Sequence, residues 1–411
     1  LQDGSPQISH IASLAERMED SYLFVQGPPG SGKTWTGAQI ALHLLGRGKR
    51  VGIAAGSHKA IHNLLHEIED GAFKQNIAFK GLKKCSAGNP ESCFESRLEL
   101  PLIDNESSQG AFPPPPGEVQ LIAGTAWLFA PDAMDGALDY LILDEAGQIS
   151  IADAVAIGTA AANLILLGDP LQLAQVSQGT HPEGAGCSVL EHLLGEHGTI
   201  QPERGIFLDR TRRMHPDICR FVSEVVYEDR LEALEECARQ RVDAGGALTG
   251  GGLRYIDARH AGNTRASVEE AAAIAQAIHG LSEATVTECN GETRPLRMDD
   301  VMVVTPYNAQ VRCLSDCLPD GVKIGIVDKF QGQEAHLVFF SMATSSGAEV
   351  PRNVEFLYSR NRLNVAVSRA RSLAVPVCNP ELLHLNPRSV EQMRLVNALC
   401  RLVELAEPLA G

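Results

Sequence analysis

Residues 22–34 read Tyr-Leu-Phe-Val-Gln-Gly-Pro-Pro-Gly-Ser-Gly-Lys-Thr. The apolar start of this stretch predicts a buried strand, and the residues from Gly27 onward fit the phosphate-binding pattern G-x-x-x-x-G-K-[ST]. The glycines let the backbone curl so that successive N–H groups face phosphate oxygens, and the helix expected after the loop adds the positive end of its dipole. The sequence therefore predicts a nucleotide site made by Gly27, Pro28, Pro29, Gly30, Ser31, Gly32, Lys33 and Thr34.

A second polar site is expected where Tyr140-Leu-Ile-Leu leads into Asp144 and Glu145. The apolar residues predict a buried strand, and ligands of open α/β sheets bind beyond the carboxyl ends of such strands. We expect Thr34 and Asp144 to hold Mg²⁺, Lys33 to bind the β and γ phosphates, and Glu145 to orient and deprotonate the attacking water. Each string is common in isolation, but together in one sheet they indicate nucleotide hydrolysis.

The rest of the chain alternates short apolar runs with helix-like stretches, which is typical of parallel sheets covered on both faces. We expect two domains, 1–205 and 206–411, with a partly loop-like insertion at about 75–118 and a flexible Gly-rich connection at 243–252. Pro376 either argues against a strand at Leu373–Val377 or places that strand at a sheet edge. Helical apolar spacing extends from Val390 to Leu405. The expected strands are Tyr22–Gln26, Val51–Ala55, Gln120–Gly124, Tyr140–Asp144, Asn163–Leu167, Leu253–Asp257, Met302–Thr305, Lys323–Ile326, Leu337–Phe340 and Leu373–Val377.

Composition limits the classes of function. The 411 residues have a net charge of −16, which excludes a histone-like binder that uses its whole surface, so any phosphate contact needs a local groove. No apolar run is long enough to cross a membrane, and the first residues do not resemble a signal peptide. The start at Leu1 suggests a fragment of a longer protein. Ten cysteines without CxxC or zinc-finger spacing indicate free thiols, and we expect a cytoplasmic protein.

Further strings complete an ordered set that resembles the superfamily 1 helicases of branch B, the 5′-to-3′ group. Residues 140–148 resemble motif II, 168–173 motif III, 208–216 motif IV, 327–334 motif V and 362–371 motif VI. The resemblance implies two tandem RecA-like P-loop domains with parallel sheets and an ATP site in the interdomain cleft. A closer resemblance is to the helicase half of bacterial RecB-like nuclease–helicase fusions, which implies a nuclease domain on the N-terminal side.

The resemblance also implies roles for residues outside the phosphate-binding loop. Gln172 would sense the γ phosphate, Gly332 and Glu334 would contact the nucleotide, and Arg213 and Arg369 would close on its charge. Arginines supplied in this way raise hydrolysis by about 10³ to 10⁵ in other nucleotidases. Arg362 and Arg371 are expected to flank Arg369 on one helix and to form structural ion pairs.

Two positions depart from the family pattern. Where the family has Gln-Tyr before Arg-Met-His-Pro, this chain has Thr211-Arg212, and the guanidinium plane of Arg212 could replace the aromatic ring that packs on adenine. The adenine-reading glutamine is also unassigned, because Gln7 lies about three residues early and His10 is nearer to the expected spacing. His215 is interpreted as structural. Because no residue that reads adenine is assigned, the specificity for ATP is expected from the resemblance alone.

Single-stranded nucleic acid in this family crosses the tops of both domains and is held mainly through its backbone. The candidate contacts follow the carboxyl ends of strands, and they are Ser57, His58, Asn63, Thr125, Trp127, Pro306, Tyr307 and Asn308. Hydroxyl and N–H groups bind phosphate without reading sequence. Trp127 could stack on bases or could be packed in the core. Tyr307 could stack on bases or could pack against its own helix, and the sequence leaves these alternatives open.

The interpretation is an ATP-dependent translocase or helicase that acts on single-stranded DNA, or less favourably on RNA, with ATP and Mg²⁺ as cofactors. Two alternatives share its motifs. One is an ATP-gated clamp or remodeller that does not unwind duplex, and the other is a nucleotide-dependent protein switch without a nucleic-acid ligand.

Overall fold

The computed structural model describes residues 1–172, 185–330, 332–350 and 354–409. By their contacts, the residues form two compact units. Unit 1 comprises Leu1–Pro170 and Ala174–Asp209, and unit 2 comprises Leu171–Leu173 and Arg210–Gly411. Unit 1 ends four residues beyond the boundary expected at 205, and each unit has its own hydrophobic core.

Unit 1 is built on eight parallel strands in the order β4-β3-β5-β2-β6-β7-β1-β8. Its strands are β1 Tyr22–Gln26, β2 Val51–Ala55, β3 Gly81–Lys84, β4 Ile103–Glu106, β5 Leu121–Gly124, β6 Leu138–Asp144, β7 Ala161–Gly168 and β8 Gly205–Phe207. Its helices are α1 Ile8–Glu16, α2 Lys33–Leu45, α3 His58–Gln75, α4 Ala126–Phe129, α5 Ile151–Gly158 and α6 Val189–Leu194. The inserted segment adds β3 and β4 to the end of the sheet, so it contains more sheet than expected.

The strand order positions the site. β7 lies between β1 and β6, so the carboxyl ends of these three strands, at Gln26, Asp144 and Gly168, stand side by side. The strands are near-continuous apolar runs because helices cover both faces of the sheet. Gly37 allows α2 to approach closely, since a Cβ there would lie 2.3 Å from Cδ1 of Leu167 in β7.

Unit 2 centres on six parallel strands in the order β16-β15-β17-β18-β12-β19, with a separate antiparallel sheet β11-β13-β14 and a short pair β10-β9. Its strands are β9 Arg210–Thr211, β10 Glu232–Ala233, β11 Arg241–Asp243, β12 Gly252–Asp257, β13 Thr285–Thr287, β14 Thr293–Pro295, β15 Val301–Thr305, β16 Lys323–Ile326, β17 Ala335–Ser341, β18 Ala370–Cys378 and β19 Glu407–Pro408. Its helices are α7 Pro216–Val226, α8 Val268–His279, α9 Asn308–Cys317, α10 Val354–Leu357, α11 Arg360–Ser368 and α12 Val390–Leu405.

The placement of Pro376 at an edge was wrong, because β18 lies between β17 and β12. Pro376 is in register with Phe340 of β17, but the ladder between β12 and β18 is interrupted beside it. Arg254 and Tyr255 of β12 have no partner in β18, although they pair with β19 on the other edge of β12. The missing N–H of proline therefore falls where this ladder has a gap.

The Gly-rich connection folds into a turn, since Val242 and Gly250 exchange both backbone hydrogen bonds at 2.9 and 2.7 Å. Among the described residues, no helix combines the length and the apolar character needed to span a bilayer.

Candidate nucleotide and nucleic-acid sites

The phosphate-binding loop joins β1 to α2 with the backbone that its glycines allow. Gly30 and Gly32 have φ of 73° and 80°, a region that strongly favours glycine. A Cβ on Gly27 would lie 2.7 Å from Cβ of Lys33, so the loop winds tightly around the lysine. The first turn of α2 contains no acidic residue and no side-chain cap, which leaves its N–H groups available to an anion.

Lys33 is surrounded by carboxylates. Its Nζ lies 3.0 Å from Oε1 of Glu145, and its side chain is only 9% exposed. Burial opposes the charge of the ammonium, but attraction to Glu145, Asp144 and Asp169 outweighs it and raises the pKa of Lys33. The cation is therefore fixed at the mouth of the loop, where a phosphate would compete with Glu145 for it.

The two acidic residues after β6 differ in environment. Asp144 is almost fully buried, and burial raises its pKa to about 6. Its Oδ1 accepts a hydrogen bond of 2.9 Å from the N–H of Glu145. Glu145 has φ of 52°, a left-handed backbone that costs a non-glycine residue about 1–3 kcal/mol. The turn thus sends one carboxylate inward and holds the other beside Lys33.

The C-terminal end of β7 contacts both the phosphate-binding loop and the turn after β6. The N–H of Gly27 donates to the carbonyl of Gly168 at 2.9 Å, and a Cβ on Gly168 would lie 2.9 Å from the backbone nitrogen of Gly147. Asp169 follows and is 4% exposed. Asp169 lies within the motif III string, but it was not predicted to be part of the nucleotide site. Its position directly after a strand beside β1 and β6 could have indicated this.

The residues present fit a magnesium nucleotide. Ser31 Oγ is buried in the loop and has no hydrogen-bond partner among the described residues, as expected of a cradle shaped for an anion. The Thr34 hydroxyl and the Asp144 carboxylate are oxygen donors of the kind that Mg²⁺ prefers. Gln172 groups by its contacts with unit 2 rather than with the loop.

In unit 2, the structure brings Arg213, Glu334 and the C-terminal end of α11 together. Arg213 Nε donates to Oε2 of Glu334 at 2.6 Å, and its Nη1 donates to the Ser368 carbonyl at 3.4 Å. Arg369 follows α11 directly, is 2% exposed, and donates from Nη1 to the Gln333 carbonyl at 3.3 Å. The two predicted arginines therefore share one neighbourhood.

The expectation that Arg362, Arg369 and Arg371 share one helix was wrong for Arg371. Helix α11 ends at Ser368, and Arg371 lies in β18, where it pairs with Glu288 at 2.5 Å. Arg362 instead lies 3.9 Å above the ring of Phe356. Both side chains thus have structural contacts. The chain turns into β18 immediately after the helix, which a helical spacing rule does not reveal.

The remaining motif residues of unit 2 are Arg212, Gly332 and His215. Arg212 is exposed, and no ion pair or hydrogen bond joins it to another described residue. Gly332 has φ of 74°. Gln331 of the same motif lies outside the described residues. His215 caps the start of α7, where its ring nitrogen accepts from the N–H of Asp217 at 3.3 Å, so it has a structural contact.

The first nucleic-acid candidates lie at the carboxyl edge of the unit 1 sheet. Ser57 is exposed and caps α3, because its Oγ accepts from the N–H of Ala60 at 3.2 Å. His58 lies 3.3 Å from the buried Nζ of Lys83, a contact that sequence reasoning missed, and burial lowers the pKa of its ring. Asn63 is exposed and Thr125 is half-buried.

The two aromatic candidates, Trp127 and Tyr307, differ in their exposure to solvent. Trp127 is 85% exposed, so the interior alternative is wrong for it. Tyr307 is 6% exposed and stacks on Phe356 of α10 with ring centroids 5.8 Å apart, so it is buried against another helix rather than against its own helix α9. Pro306 is half-buried and Asn308 is exposed at the start of α9, whose first turn contains no acidic residue.

Comparison with known proteins agrees with this geometry. A family model described as "AAA domain" matches residues 5–185, and a second model with the same description matches residues 185–381. The fold and the loop define a P-loop protein with two tandem RecA-like domains. The curated relatives to which the chain is similar over most of its length are named helicases.

Three curated relatives illustrate the similarity. "DNA replication ATP-dependent helicase/nuclease JHS1" of Arabidopsis thaliana is 26% identical over 92% of this chain and 29% of its own length. "DNA polymerase alpha-associated DNA helicase A" of Schizosaccharomyces pombe is 24% identical over 84% and 59%, respectively. "DNA replication ATP-dependent helicase/nuclease DNA2" of Gallus gallus is 24% identical over 88% and 35%, respectively. The chain thus spans between 29% and 59% of the length of these relatives.

Among solved structures, "Complex structure of Arterivirus nonstructural protein 10 (helicase) with DNA" aligns with a TM-score of 0.45 and 15% identity. The alignment covers 91% of this chain and 63% of the viral chain.

Proposed function

We propose that this chain is the motor of an ATP-dependent nucleic-acid translocase or helicase that acts on single-stranded DNA in the 5′-to-3′ direction. The observation that carries the proposal is the position of Lys33 between the loop and the carboxylates of Asp144 and Glu145. This is a hydrolytic arrangement, because one group binds phosphate, one can hold Mg²⁺, and one can activate water.

The ion pair between Lys33 and Glu145 gives a specific first step. The β and γ phosphates of ATP draw the ammonium from Glu145, whose carboxylate then becomes available to orient and deprotonate water. Thr34 and Asp144 would hold Mg²⁺, which would supply positive charge to neutralise the phosphates. Gln172 senses the γ phosphate, Gly332 and Glu334 contact the nucleotide, and Arg212 stacks on its base.

Arg213 and Arg369 supply the charge that stabilises the transition state when the two units close on the nucleotide, and that closure is converted into movement along the strand. Their common neighbourhood in unit 2 supports this role. On unit 1, the exposed face of Trp127 stacks on a base, while Ser57, His58, Asn63 and Thr125 lie along the backbone. Pro306 and Asn308 form the corresponding edge of unit 2, while Tyr307 between them is packed against Phe356.

The test is steady-state ATP turnover of the wild-type protein and of Glu145→Gln, titrated with oligo(dT) and with oligo(U). We expect stimulation of the wild type by oligo(dT), with a weaker response to oligo(U). The variant should bind a fluorescent ATP analogue normally and lose turnover by about 10³-fold or more. Turnover that ignores both oligonucleotides would indicate a protein switch. Stimulation without strand displacement on a tailed duplex would indicate a clamp or remodeller.

We also propose that the chain belongs to a longer protein with a RecB-like nuclease domain on its N-terminal side. Two relatives whose names include nuclease activity support this proposal. The ten cysteines are all free, which supports a cytoplasmic location. Nuclease assays and cell fractionation of the protein encoded by the complete gene test both proposals.

A further inference from the structure

The chain passes from unit 1 to unit 2 in the short stretch after β7. Residues up to Pro170 belong to unit 1, whereas Leu171 and Gln172 group by their contacts with unit 2. Gln172 is the residue proposed above to sense the γ phosphate. A contact between Leu171 and unit 2 therefore links the position of Gln172 to the rest of that unit.

Asn364 holds Leu171. Its Nδ2 donates to the Leu171 carbonyl at 2.9 Å and lies 2.8 Å from the hydroxyl of Tyr227. A carbonyl oxygen can only accept, so the amide must present its NH₂ group to Leu171, and the orientation of the side chain is fixed. Asn364 is 1% exposed and Tyr227 is fully buried, so water does not compete for these bonds.

Asn364 lies on the helix that leads to Arg369. Helix α11 extends from Arg360 to Ser368, and Arg369 is its C-terminal cap. Asn364 and Arg369 are separated by five residues, or about 7.5 Å of helix rise. Every residue from Leu363 to Ser368 is buried, so this part of the helix is expected to move as a rigid body.

We propose that Asn364 is a positioning residue that couples Gln172 to Arg369. When Gln172 moves toward the γ phosphate, the Leu171 carbonyl moves with it, and Asn364 transmits the displacement along α11 to the arginine. The inference rests on the proposed function and extends it, because it names a connection between the sensing glutamine and the arginine. Such coupling is a difference in free energy between two ligand states, so it can be measured directly.

The experiment measures the Kd of fluorescent oligo(dT) in a non-hydrolysable ATP analogue and in ADP. The ratio of the two constants is the coupling factor, which is unaffected by a uniform loss of folded protein. Asn364→Ala should bring this ratio about tenfold closer to one. The affinity for the ATP analogue without DNA should stay within about twofold, and oligo(dT)-stimulated kcat should fall with KM for ATP unchanged.

Tyr227→Phe is the matched control. It removes the other partner of Asn364 but leaves the bond to Leu171, so its ratio should stay within about twofold of wild type. If Asn364→Ala does not fold, Asn364→Leu has nearly the same shape, has no hydrogen-bond donor, and should give the same loss. A wild-type ratio in either variant overturns the inference while the proposed function stands. A wild-type protein that does not bind oligo(dT) in either nucleotide overturns both.

Discussion

Trp127 offers a sharp test of the nucleic-acid surface, because its indole is exposed on a short helix directly after β5. Alanine at such a stacking position typically costs about 1–3 kcal/mol per base, and each 1.4 kcal/mol is a factor of about ten. The Kd of oligo(dT) should therefore rise about 5- to 150-fold in Trp127→Ala. Because 85% of the side chain is already in water, the free energy of unfolding should change by less than about 0.5 kcal/mol.

Fluorescence anisotropy with labelled oligo(dT) measures the affinity, and urea titration measures the stability. Trp127→Phe should restore most of the affinity, since a smaller aromatic ring still stacks. Phe73→Ala is the control, because Phe73 is 76% exposed but lies near the C-terminal end of α3, about 20 Å along the helix from its start at the carboxyl edge. An equal loss of affinity in both alanine variants, or no loss in Trp127→Ala, would refute the reasoning.

Three further predictions concern stability and pH. Gly168→Ala should lower the free energy of unfolding by about 1–3 kcal/mol in urea titration, because its methyl group would lie 2.9 Å from the backbone nitrogen of Gly147. Gly56→Ala, which has open space, should be within about 0.5 kcal/mol of wild type. Burial lowers the pKa of Lys83 from 10.5 to about 8, so between these values the unfolded chain binds more protons than the native chain. The stability of the wild type relative to Lys83→Met should therefore rise with pH across that window, and comparing the two proteins cancels the contributions of the other titrating groups. Asp144 is protonated below its pKa of about 6, so magnesium-dependent nucleotide binding measured by fluorescence should weaken as pH falls from about 7.5 to 5.5, and Asp144→Asn should bind weakly at every pH.

The phosphate-binding loop could be predicted residue by residue because its chemistry is local. Only glycine adopts the positive φ of Gly30 and Gly32 without strain, and only a lysine at position 33 places a cation at the mouth of the loop. The strands Tyr22–Gln26, Val51–Ala55 and Lys323–Ile326 and the helix Val390–Leu405 were predicted with both ends correct. Their apolar periods are properties of consecutive residues.

The insertion and the arginines of motif VI were predicted less well. The two short strands β3 and β4 contain charged residues and become strands because they extend an existing parallel sheet. Arg371 continues a helical spacing in the sequence but belongs to β18, where pairing with β17 determines its backbone. In both cases, distant strands override the local pattern.

Local patterns of residues were enough to predict the main strands of the two sheets, the loop around Lys33 and the order of the motifs, because each depends on residue types at short, fixed spacing. The exposure of Trp127, the burial of Tyr307 and the hydrogen bond from Asn364 to Leu171, 193 positions apart, became visible only in the folded chain. Burial and long-range hydrogen bonds depend on which elements pack together in space, and no local spacing encodes that information.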